Sequence, residues 1–166
     1  MIKINLKKIL LNSILIFIIF LVDRLSKIYI LRVAEQENIV DIYLNQFLNF
    51  YLIWNKGIAF GLFSFNESLI YNIITSIIMI ISIAIILMII QSKGFKKLSL
   101  LFVFGGSMGN LFDRIYYSAV PDFIDLHINN YHWFVFNVAD IFITLGIMCL
   151  ILNEIFVDNK KNEKKI

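Results

Sequence analysis

Residues 68–92 run for 25 positions without one charged side chain. A bilayer core of about 30 Å needs about 20 apolar residues of helix, so this stretch reads as a membrane span and sets the solvent for the rest of the chain. The composition agrees. The 166 residues are 60% hydrophobic and 16% charged, against about 45–50% and about 25% in soluble domains. An integral membrane protein of one domain, residues 1–166, is expected.

The expected fold is all-α: four transmembrane helices, at 9–30, 69–91, 97–116 and 137–156, with a small extracytoplasmic platform of β-like loops. The first span carries Asp23, Arg24 and Lys27 near its end. Lysines before an apolar run resemble a signal peptide, but no small-residue cleavage site follows, so 9–30 is read as an uncleaved span. Lys3, Lys7 and Lys8 precede it, Lys93, Lys96 and Lys97 separate the middle spans, and Lys160, Lys161, Lys164 and Lys165 come last. Four spans bring all three clusters to one side, which the positive-inside rule makes the cytoplasm. A nucleic-acid partner is disfavoured, because no folded basic face exists to carry one. Cys149 is the single cysteine, which excludes an intramolecular disulfide and a Cys-based zinc site.

The outer loops are then 31–68 and 117–136. The first alternates over 47–52 and carries Asn55 and Gly57, which predicts short strands. The second is aromatic (Tyr116, Tyr117, Tyr131, Trp133, Phe134, Phe136), as an interfacial belt would be. Pro121 is expected to mark a turn there, and His127 and His132 to be solvated.

With that topology, polar residues far apart in sequence meet at one depth near the outer interface. They are Asp23 and Lys27, then Asn110, Asp113 and Arg114, then Asp122, Asn137 and Asp140. An ionisable group within a span costs roughly 2.5–3.5 kcal/mol even on the lenient insertion scale, so such groups pair, line a cavity or do chemistry. Asp23 and Lys27 are spaced as an i,i+4 ion pair; Asp113–Arg114 reads either as a helix-end anchor or with Arg114 steadying a nearby carboxylate. Gly106, Asn110 and Arg114 recur every four residues on one helix face. Two acids brought together share a proton, because both cannot ionise, and can hydrolyse a peptide by general acid–base catalysis.

Rival chemistries fit less well. Gly105 to Gly109 matches Gly-x-Ser-x-Gly, but the nucleophile elbow needs a strand-turn-helix setting; small residues there suit close helix packing. No His-Glu-x-x-His motif supports a metalloprotease. A small transporter or structural subunit with an ion-binding Asp140 is the alternative, though transporters place such acids near the midplane and often in repeats.

Five segments occur in a characteristic order: Asp23-x-x-x-Lys27, Asn-x-Gly-x-Ala-Phe (55–60), Gly-Gly-x-x-Gly-Asn-x-x-Asp-Arg (105–114), Asp-Phe-Ile-Asp (122–125) and Phe-Asn-x-Ala-Asp (136–140). In motif order, size and span number the chain resembles the bacterial lipoprotein signal peptidases, signal peptidase II, over nearly its whole length. The resemblance implies an aspartyl endopeptidase of the bacterial plasma membrane, with both termini cytoplasmic and its active site near the outer face. It would cut prolipoproteins just before a diacylglyceryl-cysteine. It implies Asp122 and Asp140 as the catalytic pair, with Asp23, Lys27, Asn55, Gly57, Asn110, Arg114 and Asn137 in support. Asp125 falls on a position where acids are frequent but not catalytic. No metal or cofactor is implied, and the partners are lipid-modified substrates and membrane lipid, with the chain acting as a monomer. Pro121 stands where an aliphatic is usual, and Arg24 where a neutral polar residue is.

Overall fold

The computed structural model describes residues 6–57, 68–129 and 131–163, with side chains at 6–57, 69–129 and 131–156. Ala59 and Phe60 of the outer-loop motif lie outside the described residues, as do Lys3, Lys164 and Lys165 and the side chains of Lys160 and Lys161. Four helices and four strands alternate in pairs: α1 (Leu6–Glu37), β1 (Asp41–Asn45), β2 (Leu48–Asn55), α2 (Ser68–Gln91), α3 (Gly94–Tyr117), β3 (Val120–Ile128), β4 (Tyr131–Phe136) and α4 (Val138–Glu163).

Among the described residues, three helices are long and apolar enough to cross a membrane: Leu6–Glu37, Leu69–Gln91 and Val138–Phe156. The apolar side chains of α2 turn outward; Ile73, Ile77, Ile80, Leu87 and Ile90 are each at least 50% exposed. Soluble monomers rarely expose contiguous apolar patches beyond a few hundred Å², so this surface is lipid-facing and the chain is a multi-pass membrane protein. The fourth helix, α3, is as long as α2, yet its glycines, serines and polar last turns keep it out of that apolar set. It is instead the central element, packed against α1, α2 and α4.

Small residues make that central position possible. A Cβ on Gly106 would lie 2.4 Å from the carbonyl oxygen of Ala139, and one on Gly146 2.7 Å from that of Ser99. Both obstacles are backbone and cannot yield, so α3 and α4 touch main chain to main chain. Ser82 and Ser107 add a 2.9 Å hydroxyl contact between α2 and α3. Below it, Ile85 and Ile89 pack with Leu100, Leu101 and Val103. The α2–α3 connection is short and turns at Gly94 with φ of +58°; a Cβ there would meet nothing, so backbone conformation rather than space calls for glycine.

The strands supply the expected β-like platform, with β2 over most of the alternating stretch at 47–52. Both interhelical segments form one antiparallel sheet in the order β1-β2-β3-β4. Because β1–β2 joins the C-terminus of α1 to α2, and β3–β4 the C-terminus of α3 to α4, the whole sheet sits at one end of the bundle. Within the outer segment 117–136, β3 and β4 pair with each other, and Pro121 lies inside β3 opposite Trp54 instead of marking a turn. The β4 ladder covers only Ile124–Ile128 of β3, so a residue without an N–H at 121 costs no pairing on that side. Phe123 and Val40 pack on Ile30 of α1 and fasten the sheet to the bundle. His127 is buried, and His132 is bonded to Asp125 instead of being simply solvated.

Gly106→Ala should lower stability by about 1–3 kcal/mol, the usual cost of overpacking, read from thermal unfolding in detergent. An unchanged midpoint would mean that α3 and α4 are not in backbone contact.

Candidate active site

Where the sheet meets the bundle, polar groups replace apolar packing. Lys27 lies at the centre, completely buried on α1. Its ammonium donates to Asp23 Oδ2 at 2.8 Å, to Asp113 Oδ2 at 2.6 Å and to Asn110 Oδ1 at 3.1 Å. Arg24, one residue from Asp23, pairs with the other oxygen of Asp113. Two buried cations thus face two buried carboxylates, and the cluster closes with no net charge. Attraction across such a group offsets the several kcal/mol each ion loses on leaving water only when every member is paired.

Asp23 has a second task. Its Oδ1 accepts the backbone N–H of Ala139 at 2.9 Å, one of the donors that the first turn of α4 cannot satisfy internally. Gly109 allows this approach, since a Cβ there would stand 2.4 Å from Asp23 Oδ2. Asn137 and Asp140 complete the same helix end reciprocally. The Asp140 N–H donates to Asn137 Oδ1 at 3.1 Å, and the Asn137 N–H donates to Asp140 Oδ2 at 3.2 Å. This is a capping box written with Asn and Asp, legible in the Asn-x-x-Asp spacing.

Asp122 reaches the layer from β3. Asn137 Nδ2 donates to its Oδ1 at 2.6 Å, and Asn55 Nδ2 to its Oδ2 at 2.8 Å. Asn55 arrives there because of a register shift in β2: Phe50 faces Ile124, but Ile53 faces Asp122. One extra residue in β2 makes Asn55, not Trp54, the partner of Val120 and puts it on the face of Asp122. Asn110 Nδ2 in turn donates to Asp140 Oδ1 at 2.8 Å. Asn137 thus joins Asp122 to Asp140, and Asn110 joins Asp140 to Lys27; among the described residues, no hydrogen bond runs directly between Asp122 and Asp140.

Burial and the neighbouring Asp140 carboxylate push the Asp122 pKa up from 3.8 to about 7, against the opposing pull of its two asparagine donors and Lys27. A carboxyl group that titrates near neutrality beside a second one is the arrangement needed for paired acid–base work.

Of the residues singled out in the sequence, the structure joins Asp23, Lys27, Asn55, Asn110, Asn137, Asp122 and Asp140 in one hydrogen-bonded network. Gly57 donates its N–H to Asn55 Oδ1 at 2.7 Å and accepts from Arg114. Arg114 therefore braces the outer segment and, among the described residues, makes no hydrogen bond to Asp122 or Asp140; its guanidinium also lies 5.5 Å from the Tyr71 ring. Along α3, the eight residues from Gly106 turn the Arg114 side chain about 80° off the starting face, so Gly106 and Arg114 serve different neighbours. Asp113 and Arg114 likewise diverge, so they are no joint anchor. Arg24 is the residue that sequence reasoning missed: its partner lies 89 positions away, and only an excess acid at Asp113 hinted at a second cation.

The family described as Signal peptidase (SPase) II matches this chain over residues 15–156. The chain belongs to the signal peptidase II family. A lipoprotein signal peptidase of Pelagibacter ubique is 56% identical over 163 residues, 98% of either chain. One from Aquifex aeolicus is 38% identical over 83% of this chain and 81% of its own. Two solved bacterial membrane enzymes share the architecture. The first has a TM-score of 0.70 at 24% identity, covering 93% of this chain and 92% of its own, and bears on the fold alone. The second has a TM-score of 0.64 at 26% identity, covering 86% and 90%. Membership in the signal peptidase II family makes the chain a protease.

Lys27→Met should cost about 3–5 kcal/mol, because it leaves two buried carboxylates facing one cation. The expected outcome is a sharp loss of folded protein in detergent size-exclusion chromatography; full yield would show that the cluster does not hold the bundle.

Proposed function

We propose that the chain is an aspartyl endopeptidase that removes signal peptides from prolipoproteins, cutting before a diacylglyceryl-modified cysteine. The observation that carries this reading is Asn137 bridging two buried carboxylates, one of which has a pKa of about 7. In this reading Asp122 and Asp140 are the catalytic pair. The pair holds one proton at neutral pH. Its ionised member takes a proton from water, which attacks the scissile carbonyl, while the protonated member donates to the carbonyl oxygen. Collapse of the tetrahedral intermediate returns a proton to the leaving amine.

The other residues position this pair. Asn55, Asn110 and Asn137 hold the carboxylate planes through amide donors that carry no charge of their own. Asp23 and Lys27 fix α1 to α3 and α4. Gly57 and Arg114 tie the segment after β2 to α3, where it would border a bound substrate.

Four crossings complete the topology, with α3 as the fourth span, shielded by its neighbours. Both termini and the lysine clusters then lie in the cytoplasm, and the sheet lies at the outer face of the plasma membrane. A lipid-anchored substrate enters sideways from the bilayer and presents its peptide bond at a depth that water reaches. The chain acts as a single-domain monomer without a cofactor, since one copy holds every group the reaction uses. An ion-binding transporter role for Asp140 is not favoured, because the acids gather at one interface instead of the midplane.

The test is cleavage of a diacylglyceryl-cysteine signal peptide in detergent by wild type, Asp122→Asn and Asp140→Asn. Wild type should cut before the cysteine, and each folded variant should lose at least about 10²-fold, the low end for general acid–base groups. The Asp122 proton is present below its pKa of about 7 and is lost above it, so activity should fall as pH rises through that value. Folded variants that still cut would remove the two aspartates from the chemistry.

A further inference from the structure

On the opposite face of β3 from Asp122, an unused polar cluster remains. Asp125 follows Asp122 by three residues and points the other way, as strand alternation requires. His127 shares its side. His132 joins them through an irregularity in β4: Leu126 faces Phe134, but His127 faces His132, so Trp133 is an extra residue in the ladder. Without that bulge His132 would point away. With it, one ligand atom from each of Asp125, His127 and His132 lies within 4.8 Å of the others.

Protein contacts do not satisfy this cluster. His132 Nδ1 donates to Asp125 Oδ2 at 2.7 Å, while His127 Nδ1 stops 3.6 Å from the same oxygen, beyond hydrogen-bond reach. Among the described residues, His127 Nδ1, Asp125 Oδ1 and the nearby Asn49 Oδ1 are buried without partners. Asp125 is 1% and His127 8% exposed, so these are interior groups. Leaving a buried donor or acceptor unsatisfied costs about 1–3 kcal/mol, and a simple Asp–His pair would not explain three of them together. Asn49 faces Asp125 across the β2–β3 ladder and borders with it a cavity of about 400 Å³. His132, whose side chain is 60% exposed, gives that cavity an entrance.

We propose that Asp125, His127 and His132 form a binding site for a divalent transition-metal ion of the zinc type, separate from the Asp122–Asp140 pair. Two imidazoles and one carboxylate are a borderline-soft donor set suited to zinc and its neighbours. Asp41 also lines the cavity, but calcium and magnesium prefer all-oxygen shells, whereas two of the three clustered ligands are imidazole nitrogens. Tetrahedral zinc with bonds of about 2.0–2.2 Å separates its ligand atoms by about 3.4 Å. The present spacing lies on either side of that value, and the exposed His132 is free to adjust. A bound ion would link β3 to β4 three residues from Asp122 and stiffen the hairpin that carries it.

The experiment uses tag-free, chelator-stripped full-length protein in detergent, titrated with Zn²⁺ against a chromophoric chelator and with Co²⁺ by visible absorption. The expected result is one equivalent per chain and a rise in the unfolding midpoint with Zn²⁺. His132→Gln, at an exposed position that leaves folding intact, and His127→Gln should each weaken binding about tenfold or more, whereas Asp122→Asn should bind as wild type does. No stoichiometric binding, or unchanged affinity in the histidine variants, overturns the proposal. So does binding that disappears in Asp122→Asn, which would place the ion on the paired carboxylates.

Discussion

The Lys27 ammonium holds this protein together at its most expensive point. Three oxygen acceptors from α1 and α3 converge on it with no exposure to solvent. Asp23, positioned by that contact, then satisfies the first turn of α4. One buried cation therefore sets where three helices stand relative to one another. Around it, apolar packing is thin: the outward faces of α1, α2 and α4 belong to lipid, and the α3–α4 seam is built from small residues. The ion cluster adds a directional constraint to the close backbone contact of α3 with α4.

From that arrangement the proposed chemistry inherits its geometry. Asp140 is aimed by the capping box of its own helix and by Asn110, which also touches Lys27. Asp122 comes from a different layer, the sheet, and meets Asp140 through Asn137. Asparagine suits these bridging posts because its amide accepts on one side and donates on the other without adding charge. A lysine or arginine in direct contact with Asp122 would favour its ionised form and work against a pKa near 7.

Much of this was legible in the sequence, for identifiable reasons. The uncharged run at 68–92 and the apolar runs around it declare membrane helices, because lipid tolerates little else. Asn110, Asp122, Asn137 and Asp140 stand out because polar groups in such a setting are costly. The hairpin at 120–136 stayed hidden because the aromatic residues that build its strands are the same ones that mark a headgroup belt. Arg24 looked like a departure from a family pattern, since its partner Asp113 is close only after folding. His127 and His132 looked solvated because their meeting depends on a single-residue bulge at Trp133 that alternation does not announce. Asp113–Arg114 misled through adjacency: neighbours on a helix point about 100° apart and serve different elements.

The decisive measurement is the protonation of Asp122 itself, followed through its side-chain carboxyl by isotope-edited infrared or carbon NMR across pH, with Asp122→Asn assigning the signal. The expected midpoint is about 7, and it should fall in Asp140→Asn, where the neighbouring carboxylate is gone, while burial, the larger cause, keeps it above 3.8. A midpoint near 3.8 in the wild type, unmoved by that substitution, would contradict the paired-acid reading.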